Sequence, residues 1–80
     1  MVEARIRLAE TERALGRLAA AFTQYEAAVQ IDPRMADAWI GGARTLIDLK
    51  ETDKAREWLA RATRVHPGRR ELVELQAKVQ

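Results

Sequence analysis

Pro33 and Pro67 stand 34 residues apart, and the residues before them match at the same offset. Ala28 pairs with Ala62, Tyr25 with Leu59 and Ala21 with Ala55. Further back, Leu15 pairs with Leu49, Ala9 with Ala43 and Ala4 with Ala38. A fixed period of this length marks a supersecondary unit used more than once. Such a unit buries its apolar face only by stacking on a neighbour. A chain of 80 residues has room for two such units and part of a third.

Each unit reads as two helices. Ala, Leu, Arg, Glu and Gln dominate, and all favour helix. Breaks at Gly16, Pro33, Lys50-Glu51-Thr52-Asp53 and Pro67-Gly68 leave five segments, roughly 2–15, 18–31, 36–49, 53–66 and 69–80. Proline disfavours helical geometry in the residue before it, so helices end at Asp32 and His66. Asp53 is placed as an N-cap, its carboxylate accepting from first-turn N–H groups. Leu18, Ala21, Phe22, Tyr25, Ala28 and Val29 recur at three- and four-residue steps, which predicts one apolar stripe. Ala55, Leu59 and Ala62 repeat that layout, flanked by Trp58 and Val65. No β-alternation of useful length appears. The fold class is all-α, and the short connections make successive helices antiparallel neighbours.

Composition narrows the chemistry. Hydrophobic residues make up 48% of the chain, but 15 of them are Ala, so large apolar side chains are few. There is no Cys, Ser or Asn. That removes disulfides, thiolate metal sites and the usual nucleophiles, and no cofactor is expected. The one His, His66, reads as a solvated residue at a helix end, favoured there by the helix dipole. Glu10 and Asp48 are not expected to form a tuned carboxylate pair on a solvated face. The chain is read as not an enzyme. No apolar leader and no long apolar run occurs, so the expectation is a soluble, cytoplasmic chain without membrane insertion, unless it is a piece of a longer protein.

The stretch Gly16-Arg17-Leu18-Ala19-Ala20-Ala21, followed by Tyr25, Ala28, Val29, Ile31, Asp32 and Pro33, resembles the second helix of a tetratricopeptide repeat. Trp39, Ala43 and Leu46 resemble that repeat's first helix. The resemblance implies one domain over 1–80 in a short right-handed solenoid: repeat 1 at 2–35, repeat 2 at 36–69 and a capping helix at 70–80. Departures occur. Arg5 and Glu12 stand where the family prefers Trp and a large apolar residue, as suits a leading helix facing water. Gly42 and Thr52 replace larger residues and are expected to loosen the second pair. Gly41-Gly42 inside a helix costs about 1 kcal/mol per Gly relative to Ala, for which close backbone packing is the simplest reason and a hinge or a ligand's approach the alternative.

The same resemblance implies a concave groove lined by the first helix of each pair, receiving a peptide or a helix of another protein. The matching positions are Glu3, Ile6, Glu10, Arg13 and Ala14, then Asp37, Ile40, Arg44, Ile47 and Asp48, with Glu71, Glu74 and Lys78 beyond. Ile6, Ile40 and Ile47 would give either an apolar floor or inter-helix core, and Arg13 and Arg44 would orient the partner. Replacing Ile40 by Ala together with Arg44 by Glu is then expected to weaken binding without unfolding. Lys and Asn at two first-helix turns form the family's carboxylate clamp; here Ile6, Glu10, Ile40 and Arg44 stand there, so the clamp is absent. Two further readings remain. Arg61, Arg64, Arg69 and Arg70 form a local basic cluster that a nucleic acid would use, a reading not favoured because only Trp58 is near for stacking. Trp58, Leu72, Val73, Leu75 and Val79 look like more apolar surface than so small a body covers, which points to a homo-oligomer or a missing neighbour.

Overall fold

A computed structural model describes all 80 residues. Five helices follow one another: α1 (Val2–Ala14), α2 (Leu18–Ile31), α3 (Ala36–Asp48), α4 (Thr52–Val65) and α5 (Arg70–Lys78), with no strand. Each packs on the next, and α3 also touches α1 and α5. The odd helices therefore form one row and α2 and α4 a second. Backbones of α2 and α4 do not approach each other, so the molecule closes on the α1–α3–α5 side.

The two turns inside the helix pairs are the same device. Arg17 N–H donates to Glu12 O (2.8 Å) and Gly16 N–H to Arg13 O (3.0 Å). At the equivalent place, Glu51 N–H donates to Leu46 O and Lys50 N–H to Ile47 O, both at 3.0 Å. This paired bonding needs a left-handed residue just past the helix. Gly16 supplies it at φ 79°, whereas Lys50 adopts φ 63° against the usual steric cost for an L-residue. Between α2 and α3, the Asp32 carboxylate accepts from Arg34 N–H (3.1 Å) and Arg34 Nε (3.0 Å), closing the turn around Pro33. The Arg34 guanidinium and these hydrogen bonds hold the Asp32 carboxyl below its usual range.

Alanines make the close helix contacts. Ala9, Ala21, Ala28, Ala43, Ala55 and Ala62 are all fully buried, and Tyr25 and Leu59 fill the space between turns. Gly41 and Gly42 extend this logic to a direct seating of rings on backbone. A Cβ on Gly42 would lie 2.5 Å from Trp58 Cζ2, and one on Gly41 would overlap the Tyr25 ring. Because that space is free, Trp58 Nε1 reaches the Trp39 carbonyl at 2.9 Å. The glycine pair thus serves close packing, the simplest reason expected for it, and Gly42 by itself tightens the contact it was expected to loosen.

Several local expectations are corrected. Asp53 lies within the first turn of α4 and pairs with Arg56 (2.9 Å); Glu51 holds the N-cap position and makes no side-chain cap bond. His66 is half-buried, its Nε2 lying 3.0 Å from the Pro33 carbonyl, to which it donates across from the end of α4 to the α2–α3 turn. Trp39 Nε1 donates to the same oxygen at 2.9 Å. The C-terminal apolar set is also covered. Trp58, Leu72, Leu75 and Val79 are buried, Arg56 Nε donates to the Val79 carbonyl (2.6 Å), and only Val73 remains half exposed. Val65, expected beside the α4 stripe, is exposed.

Candidate functional site

A cavity of about 510 Å³ opens between α1 and α3 on the closed side of the molecule. Glu10, Arg13 and Ala14 line it from α1, and Asp37, Ile40, Gly41 and Arg44 line it from α3. Three- and four-residue spacing puts each set on one helical face. Tyr25 from α2 forms the floor. Its ring lies against Gly41, and that glycine is what lets an α2 side chain reach between two neighbouring helices.

The electrostatics centre on that hydroxyl. Burial, with the charge of Glu10 and more weakly Asp37, pushes the Tyr25 phenol above its ordinary pKa, while Arg13 and Arg44 pull the other way. Tyr25 is 3% exposed, and its hydroxyl makes no hydrogen bond within the chain. Arg13 Nη2 donates to Asp48 Oδ2 at 2.6 Å, tying α1 to α3 beside the cavity. Arg44, Glu10 and Asp37 are exposed and have no ion-pair partner. No three His, Asp or Glu side chains converge on a point that would hold a metal ion.

The structure sorts the residues expected to line the groove. Glu10, Arg13, Ala14, Asp37, Ile40 and Arg44 meet at the cavity. Ile6 and Ile40 are buried members of the core, and Ile47 is half-buried against it, so no continuous exposed Ile floor exists. The paired replacement of Ile40 and Arg44 therefore removes core as well as surface. Asp48 lies outside the cavity in its ion pair, and Glu74 and Lys78 stand exposed on α5, away from it. Tyr25 and Gly41 were not among the expected groove residues. The Gly-Gly pair was the available signal, because a helical glycine marks a place where something comes close.

The opposite side carries an aromatic cluster. Trp58 stacks edge-on against Phe22 (4.9 Å) and tilted against Trp39 (4.8 Å). The Arg61 guanidinium lies 5.4 Å from the Trp39 ring and 5.6 Å from that of Trp58. With Arg69 also beside Glu71 (3.6 Å), two of the four arginines read as a basic cluster are engaged within the chain.

Paired antiparallel helices, small residues at the crossings and a turn repeated at a fixed offset define a helical-repeat interaction domain. Residues 12–79, taking in the end of α1 and all of α2 to α5, match the tetratricopeptide repeat family, and the chain belongs to it. Tetratricopeptide repeats are non-catalytic modules that generally mediate protein–protein interaction. The chain is similar to the ESX-2 secretion system protein EccA2 of Mycobacterium tuberculosis and of Mycobacterium bovis, 46% identical to each over 48 residues. That match covers 55% of this chain and 8% of the length of those curated relatives. No helix is long and apolar enough to cross a membrane.

Proposed function

We propose that this chain is a protein-binding module divided as repeat 1 (2–35), repeat 2 (36–69) and a capping helix (70–80), which holds a peptide or helix of another protein in the α1–α3 groove. The observation that carries this is the cavity itself: a concave opening whose floor is an unbonded Tyr25 hydroxyl and whose rim holds an unpaired Arg44. Neither group has a structural partner, so each is free for a ligand. Glu10, Arg13 and Asp37 complete the rim, Ile40 gives a limited apolar contact, and Ile6, Ile47, Asp48, Glu74 and Lys78 support or extend the wall. The printed name of the relatives makes a protein component of a secretion apparatus the first partner class to try.

Affinity capture from cells of the source organism tests this with Arg44→Ala in place of the core-damaging Ile40 variant. The expected result is a partner retained by the parent chain and by Glu57→Arg on α4, and reduced about tenfold by Arg44→Ala, which removes the donor without adding a charge. Equal capture by all three removes the groove from the reading.

One observation favours self-association as a second reading. Met1, Ala4, Leu8, Thr11 and Leu15 form an exposed stripe on α1, whereas their equivalents at offset 34 in α3 are buried or half-buried. The uncovered apolar end is thus α1 and not the C-terminus. A concentration-dependent sedimentation coefficient that Leu8→Glu abolishes is the expected signature; a monomer at every concentration dismisses it.

A further inference from the structure

The concave side of this chain carries a slight excess of carboxylates, although the chain as a whole carries a formal charge of +2. At offset 34, Glu3, Asp37 and Glu71 occupy one position in α1, α3 and α5, and Glu10, Arg44 and Lys78 another. Glu10, Asp37 and Arg44 line the cavity and α3 touches both α1 and α5, so the equivalents share a face. With Asp48 and Glu74, six of the 12 acidic residues stand on that side, against Arg7 (the equivalent of the cavity-lining Gly41), Arg13, Arg44, Lys78 and the Glu71-paired Arg69 among the 14 basic ones. The remaining surface is correspondingly basic.

Helix stabilisation explains only part of this segregation. Acids in a first turn complement the helix dipole, which accounts for Glu3, Asp37 and Glu71. It does not account for Glu10 in the body of α1 or for Asp48 at the C-terminus of α3, where the dipole disfavours negative charge. Asp48 neutralises Arg13 at 2.6 Å, which leaves Glu10 and Asp37 uncompensated at the rim except by Arg44. The Tyr25 hydroxyl is an independent pointer to a ligand. It belongs to a side chain that is 3% exposed, has no partner in the chain and opens into the cavity between the two carboxylates' helices.

We propose that the groove takes an extended basic peptide segment, one Lys or Arg side chain entering the cavity to donate to Tyr25 Oη and to the Glu10 and Asp37 carboxylates. Arg44 then faces the peptide's backbone carbonyls. This rests on the groove reading above and assigns it a partner chemistry. Complementary charge chiefly sets encounter rate and selectivity, so discrimination between basic and acidic segments is the property to measure.

Fluorescence anisotropy with labelled Lys-rich and Glu-rich peptides of equal length is the test. The Lys-rich peptide is expected to bind at least about tenfold more tightly, and less so as salt rises. Glu10→Lys with Asp37→Lys reduces that binding about tenfold or more, while Glu26→Lys with Glu57→Lys, the same change in charge on the other side, leaves it within about twofold. Tyr25→Phe keeps the ring and weakens binding about fivefold, which guards against misfolding of the charge variants. Tighter binding of the Glu-rich peptide, no binding of the Lys-rich one, or equal loss in both double variants overturns the proposal. If a cellular partner is still lost with Arg44→Ala, the groove stands and only its assigned chemistry falls.

Discussion

Helices α1 and α3 occupy the same place in successive units and meet different surroundings. α3 touches all four other helices, while α1 touches only α2 and α3. Their sequences record the difference. Trp39, 2% exposed, stands where α1 has Arg5; Leu46, also 2% exposed, stands where α1 has Glu12. Arg5 is exposed and reaches sideways to Gln24 (3.2 Å); Glu12, expected to face water, is instead half-buried, its Oε2 shielded from solvent without a hydrogen bond and 3.7 Å from Arg17. The third exchange runs the other way. α3 carries Gly42 under the Trp58 ring, and α1 carries Leu8, 45% exposed, with no second-row ring to receive. A middle helix is specified by what must fit on both sides of it, an end helix by water on one side.

Paired substitutions test that difference, the largest effect first. Trp39→Ala is expected to cost about 3–5 kcal/mol in urea denaturation, against about 0.5 kcal/mol or less for Arg5→Ala. Comparable costs would mean that α1 is as enclosed in solution as α3. Gly42→Ala comes next. Its Cβ meets a ring already hydrogen-bonded to the Trp39 carbonyl, so a loss of about 1–3 kcal/mol follows, the usual scale of overpacking. Leu8→Ala, at a half-exposed site, should cost about 1 kcal/mol or less.

The turns give a smaller contrast. Lys50→Gly relieves a left-handed residue and should stabilise by about 1 kcal/mol, whereas Gly16→Ala at φ 79° should destabilise by a similar amount. Thermal melting of the two variants in parallel reads the opposite signs; the same sign in both would deny that the turns are equivalent.

The smallest effect concerns pH. Folding raises the Tyr25 pKa above 10.0, so the fold favours the protonated phenol. Its contribution is complete below pH 10 and is lost as pH rises through the folded-state value. Tyr25 is the only tyrosine, so tyrosinate absorbance reports it alone. The titration midpoint should fall toward the unfolded value in urea; an unchanged midpoint would place the hydroxyl in open water.

Much of this was legible in the chain, for a local reason. Prolines, the glycine at Gly16 and three- and four-residue apolar steps act through nearest neighbours, and the five helices lie within a residue or two of the expected segments. The resemblance to the repeat family singled out Glu10, Arg13, Asp37 and Arg44, and their three- and four-residue spacing puts them on one side of their helices, where the cavity opens. It gave no means of separating a wall from a core, and so left Ile6 and Ile40 undecided between groove and interior. Nor did it show that a residue of α2 reaches the groove. Tyr25 reads as a core filler because its position on α2 is apolar, and only the Gly41 gap gives its hydroxyl a way through.

The amino-acid sequence by itself determined the repeat, the helices and their antiparallel order, because backbone sterics and helical period are properties of short segments. Tertiary structure alone decided which surfaces are covered. Trp58 and Val79 are buried and Leu8 is exposed. The physical reason is that burial depends on neighbours: the same position is core between two units and surface at an end.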